Sequence, residues 1–147
     1  MKNILTIITS LVLLSLTNSC KKDPSTFANA GQLWDCNKAQ EFDSTKLADK
    51  LIGSWQWTET SSETATKQAD KNIRVTFTSA GKFTVTENST IITHGNWQMK
   101  IVDSGILGLS MDNPSEFLHG RILLCGNQVL FNNSFRDGAD NLFTRTN

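Results

Sequence analysis

From Gly53 to the C-terminus, apolar and polar residues alternate with a period of two, and few folds other than antiparallel sheet satisfy that pattern. Trp55 and Trp57 alternate with Ser54, Gln56 and Thr58, and Ile73, Val75 and Phe77 with Arg74 and Thr76. Phe83 and Val85 alternate with Lys82, Thr84 and Thr86, and Trp97 and Met99 with Asn96 and Gln98. Leu107, Leu109 and Met111 continue the series, followed by the runs 117–124, 129–133 and 142–144. Aromatic and β-branched side chains at this spacing suit a pleated surface with one buried face. The breaks carry turn chemistry: Ser79-Ala80-Gly81, Asp103-Ser104-Gly105, Asp112-Asn113-Pro114, Gly126-Asn127 and Asp137-Gly138-Ala139-Asp140. About eight strands at roughly 10–12-residue spacing make an all-β meander. Closed barrel and two-sheet sandwich are its two outlets. Hairpin-length connections favour up-and-down order; only the polar stretch 59–71 reads as a long loop.

Residues 44–52 read as one short helix ahead of the strands. Leu47 and Leu51 share a face, Asp43 or Ser44 can cap the start, and Gly53 can end it. The first twenty residues read as an address. A basic Lys2, an apolar run from Ile4 to Leu16 and a small Ser19 describe a secretory signal. The run is shorter than the ~20 residues a membrane-spanning helix needs. Cys20, placed at the cut, resembles the cysteine of a bacterial lipobox, which is freed at its N-terminal side and carries acyl chains. Ser19 fits that pattern. Leu16 stands one position too far from Cys20, and Asn18 is larger than the usual Ala or Ser. One acyl chain binds a bilayer marginally and two or more hold stably, at ~0.8 kcal/mol per buried CH₂. The competing reading is a secreted chain in which Cys20 is incidental. Lys21-Lys22-Asp23 is either a plain spacer or a weak form of the charged tag that directs some lipoproteins to the cell surface.

The expected division is a signal peptide at 1–19, a lipidated tether at 20–43 and a barrel domain at 44–147. The tether shows no sustained period, but Trp34 and Cys36 want burial or a partner, so its end should lie against the domain. With Cys20 lipidated, Cys36 and Cys125 remain, and export places them where disulfides form. A bridge between them would pin the tether to the barrel.

At this point the residues suggest a family. A short helix, Gly53-Ser54-Trp55, the hairpin from Phe77 through Gly81 to Phe83, Gly95-Asn96-Trp97 and the ending from Asp137 to Arg145 resemble the lipocalin-like group of small bacterial lipoproteins. The resemblance covers about residues 45–147 and implies a lipocalin-like barrel. It further implies that Trp55 plugs the closed end and that Arg145 packs across it, a cation–π pair worth ~0.5–2 kcal/mol. Trp57, Val75, Phe77, Phe83, Val85 and Trp97 form the expected inward set. An eight-stranded barrel is either filled or just able to hold one small ligand, so these residues either line an apolar pocket or make a solid core.

Little points to catalysis. His94 and His119 stand apart, without the spacing of metal ligands. Asp137, Asp140 and Asn141 lack the ligand order of an EF-hand, and a hairpin turn accounts for them. No nucleophile elbow or phosphate loop is present. Lys and Arg number 14 against 14 Asp and Glu, which provides no basic field for nucleic acid. The expectation is a non-enzymatic outer-membrane lipoprotein facing the periplasm or the cell surface, without a cofactor. Its partners are the membrane through Cys20 and a small apolar ligand. The alternative is a protein-interaction module with a filled barrel.

Overall fold

A computed structural model describes residues 30–63 and 65–146. The expected signal peptide 1–19, Cys20 and the first part of the expected tether lie outside the described residues. Two helices, α1 (Ala30–Ala39) and α2 (Ser44–Leu51), precede the strands β1 (Gly53–Ser61), β2 (Thr66–Gln68), β3 (Ile73–Phe77), β4 (Lys82–Glu87) and β5 (Thr90–Asp103). Then follow β6 (Ile106–Met111), β7 (Arg121–Cys125), β8 (Gln128–Asn132) and β9 (Asp140–Thr146). Every neighbouring pair is antiparallel, and β9 returns to pair with β1. One edge of β1 is shared by β3 and then β2, so the nine strands make an eight-stranded closed barrel. The expected up-and-down, lipocalin-like barrel is the observed architecture.

The alternation sets which face is buried. Trp55 stands opposite Val75 and Arg145, Val75 opposite Val85, and Phe77 opposite Phe83. Shifts of register in β1, β4–β5 and β5–β6 are bulges, which help a sheet curl toward closure. On β7, β8 and β9 the alternation gives way to continuous apolar runs because both faces are covered. Ile122, Leu124, Val129, Phe131 and Phe143 point into the barrel, while Leu123, Leu130 and Leu142 pack outside against Leu33 of α1.

α1 is the main departure from the expected aperiodic tether. Leu33 is its one buried residue, so no apolar stripe marks the helix. Its fixings are tertiary. Cys36 is joined to Cys125 across 89 residues, with their Cα atoms 5.8 Å apart. The Asn37 Oδ1 accepts the Leu124 backbone N–H at 2.8 Å. α2 follows its sequence pattern closely: Asp43 caps it, accepting the Lys46 N–H at 2.8 Å, and Leu47 and Leu51 are buried.

Two strand boundaries also move. Where the polar stretch 59–71 predicts a loop, Glu59, Thr60 and Ser61 pair with Gln68, Lys67 and Thr66 of β2. All of β2 is exposed, so no apolar period marks it. Where 117–124 predicts one strand, only Arg121 onward is strand. Gly120, at φ +95°, turns the chain where a Cβ would collide with the Asn132 carbonyl. Phe117 and Leu118 fold into the barrel mouth instead, the Phe117 ring meeting Trp57 edge-on at 5.1 Å.

Candidate functional site

The closed end of the barrel is built around Trp55. Its ring is fully buried, and its Nε1–H donates to the Leu51 carbonyl at 2.7 Å. The Arg145 Cζ lies 4.1 Å from the ring centroid. The same guanidinium donates to the carbonyls of Lys50 and Ile52, the latter at 2.8 Å. Arg145 therefore covers the indole face and satisfies carbonyls that the end of α2 leaves open. Gly53 makes room for it: a Cβ at this φ +127° residue would run into the guanidinium.

The six inward residues are core. Trp57, Val75, Phe77, Phe83, Val85 and Trp97 are between 0 % and 8 % exposed and belong to one apolar cluster with Leu47 and Leu51. Phe77 and Trp97 pack edge to face at 5.3 Å. The Trp57 Nε1–H donates to the Asn141 Oδ1 at 3.1 Å and the Trp97 Nε1–H to the Lys82 carbonyl at 3.0 Å, as buried indoles require. Of the two readings of this set, the structure places these side chains in a packed interior.

Several clefts open on the surface, and one lies at a seam in the wall. β6 and β7 register through a single pair, Gly108 opposite Arg121. A Cβ on Gly108 would collide with the Gly120 carbonyl, so glycines allow this one close approach. A cavity of about 330 Å³ adjoins the seam. Leu107 of β6, Ile122 and Leu123 of β7 and Leu47 and Phe42 of the α2 region give it an apolar lining. Trp34, Asn37, Lys38 and Glu41, from α1 and its exit, form the rim. Neither Lys38 nor Glu41 makes an ion pair among the described residues. Sequence reasoning missed this site. Its residues come from five segments, and only Trp34 stood out by wanting cover.

Side chains bridge the seam where the ladder does not. Arg121 passes over β6 to pair with Asp103 at the end of β5. Its Cζ lies 3.9 Å from the Phe135 ring and 5.9 Å from that of Trp34. The Arg136 Nη2–H donates to the Val102 carbonyl at 3.1 Å. The Arg121 hydrogen bond, helped by the Ser104 hydroxyl, holds the Asp103 carboxyl below its ordinary value.

The Gly95-Asn96-Trp97 segment has its own reason. Asp112 accepts the Asn96 backbone N–H at 2.7 Å and the Asn96 side-chain N–H. Its carboxylate lies where a Gly95 Cβ would be. The side-chain bond, then the backbone bond, lowers the Asp112 carboxyl from the ordinary 3.8. A lowered carboxyl stabilises the fold fully above the unfolded value, and the contribution is lost as pH falls through the lowered folded value. Urea midpoints of the wild type should therefore fall as pH drops below about 4. Asp112→Ala should start lower at neutral pH and fall less steeply. An unchanged slope in that variant would refute the assignment.

Asp140 serves the turn before β9, accepting the N–H groups of Asn133 and Ser134 at 2.7 Å each. His94 and His119 are exposed. Among the described residues, no group of three or more His, Cys, Asp or Glu is arranged to hold a metal. No protein-family model, curated protein or solved structure matches the chain.

Proposed function

We propose that the chain is an exported lipoprotein of the lipocalin-like kind, anchored to the bacterial outer membrane through Cys20, whose domain binds a small apolar ligand without transforming it. The observation that carries the binding role is the seam cavity. Its volume of about 330 Å³ falls within the ~300–1,000 Å³ range of small-molecule sites. Its apolar lining is continuous with the core through Leu47, Leu107 and Ile122. With the inward side chains packed, the cleft in the wall, rather than the interior, is what supports this reading. The anchor rests on the signal pattern and the position of Cys20.

Two measurements test the two halves. Cells grown with an alkyne fatty acid should label the wild-type protein and leave Cys20→Ala unlabelled; equal labelling would defeat the anchor. The neutral dye N-phenyl-1-naphthylamine should bind saturably with enhanced fluorescence. Leu107→Trp, which fills the cavity, should abolish that signal while the near-ultraviolet circular dichroism shows the fold retained. Undiminished dye binding in a folded Leu107→Trp variant would defeat the site. The reading as a surface interaction module is favoured by the adjacent Ile91 and Ile92, 60 % and 45 % exposed near the β4–β5 hairpin. Loss of a crosslinked protein partner in Ile91→Lys/Ile92→Lys, with dye binding absent from the wild type, would support it instead.

A further inference from the structure

We infer that the seam cavity takes a single-chain amphiphile with a zwitterionic head. This rests on reading the cavity as an apolar-ligand site and adds the chemistry of its rim. At about 330 Å³ the space is near the lower end of ligand pockets, which suits one chain and excludes the paired chains of a bilayer lipid. Leu47, Leu107 and Ile122 supply the floor for the tail.

The rim selects the head. Lys38 and Glu41 both border the opening, both are exposed, and among the described residues neither is paired with another charge. They stand next to each other across one turn, the Glu41 N–H donating to the Lys38 carbonyl at 3.2 Å. Glu41 adopts the left-handed conformation at φ 47°. Asn37 commits its Oδ1 to the Leu124 N–H, leaving its amide N–H group as a donor at the same rim. A wholly anionic head would meet Glu41 and a wholly cationic one Lys38, and like charges brought together are what an interface uses to reject a partner. A head carrying both signs answers both residues.

Supply and site are close together. From Cys20 to Ala30 an extended chain spans at most about 36 Å, so an anchored domain works beside a membrane surface where such amphiphiles partition.

The test uses the mature chain, residues 20–147, carrying Cys20→Ala, which has neither acyl chains nor the apolar run 4–16 and so needs no detergent. Three probes share a twelve-carbon tail and are used as monomers: dodecylphosphocholine, tridecanoate and dodecyltrimethylammonium. Binding is followed by NMR shifts of the Leu107 and Ile122 methyl groups. Dodecylphosphocholine should bind about tenfold tighter than either singly charged probe. Lys38→Ala and Glu41→Ala should each remove most of that preference while tail-driven binding persists. Glycerophosphocholine, the head without the tail, should shift neither methyl. If all three probes bind within about twofold of each other, the zwitterion assignment is overturned and the apolar site stands. If none shifts the two methyls, both are overturned.

Discussion

Replacing Cys36 and Cys125 together by alanine is expected to lower the melting temperature by roughly 16–20 °C and to detach α1 from a barrel that remains folded. The bridge closes a separation of 89 residues, for which the chain-entropy account suggests roughly 4–5 kcal/mol. At about 4 °C per kcal/mol for a domain of this size, that gives the shift. Detachment follows from what else holds the helix. Burying Leu33 contributes about 1.5–3 kcal/mol, and the Asn37 bond to Leu124 about 1 kcal/mol. Ordering ten residues costs upward of 1 kcal/mol each in backbone entropy, and a lone helix of this length is marginal in water even with its internal bonds. Hydrogen exchange should show the α1 amides unprotected in the double variant while β8 and β9 stay protected. The cavity would lose Trp34 and Lys38 from its rim, so dye binding should weaken with it. Protected α1 amides at an unchanged melting temperature would refute the account.

The barrel was readable where one face is buried and the other wet. Trp55, Val75, Phe83 and Trp97 alternate with polar neighbours because water covers the opposite face, so period, register and core agree. Legibility failed where that asymmetry fails. β2 is exposed on both faces and shows no apolar period. β7 is covered on both faces, so nothing in 117–124 separates the mouth-plugging Phe117 and Leu118 from the strand beginning at Arg121. The break is made by Gly120, whose role depends on the distant Asn132 backbone. α1 was hidden because a helix held by one leucine and one disulfide carries no stripe. The Cys36–Cys125 pairing could be inferred only by elimination among three cysteines. The cavity was illegible for a related reason: Lys38, Leu47, Leu107 and Ile122 meet only because β6 and β7 share one pair, and register at a seam is a property of the closed sheet.

A filled barrel changes where recognition can occur. An interior packed by Trp57, Phe77, Phe83 and Trp97 has no room to exchange contents without breaking aromatic contacts worth ~0.5–1.5 kcal/mol each beyond their burial. A seam with one ladder pair opens at lower cost. Arg121, stacked on Phe135 and paired with Asp103, limits that opening from outside. The closed end has the opposite task, since the anchoring of α2 depends on its staying shut.

Arg145→Ala should therefore destabilise the protein by about 2–4 kcal/mol. The guanidinium over Trp55 contributes ~0.5–2 kcal/mol. Its hydrogen bonds to the Lys50 and Ile52 carbonyls add about 1.5–3 kcal/mol for a charged donor, partly lessened by exposure at the Lys50 end. Removal uncovers the indole face and leaves those carbonyls to water. Arg145→Lys should recover less than half of the loss. An ammonium keeps the favourable charge at the helix C-terminus but cannot stack flat on the ring and hold both carbonyls in one geometry. Arg136, exposed, bonded to one carbonyl and 5.0 Å from the Phe135 ring, is the comparison: Arg136→Ala should cost no more than about 1 kcal/mol. Urea unfolding measures all three variants, and hydrogen exchange should place the Arg145 effect at the amides of α2 and the start of β1. An Arg145→Ala protein within about 0.5 kcal/mol of wild type would mean that the guanidinium rests on Trp55 without holding the end of the barrel closed.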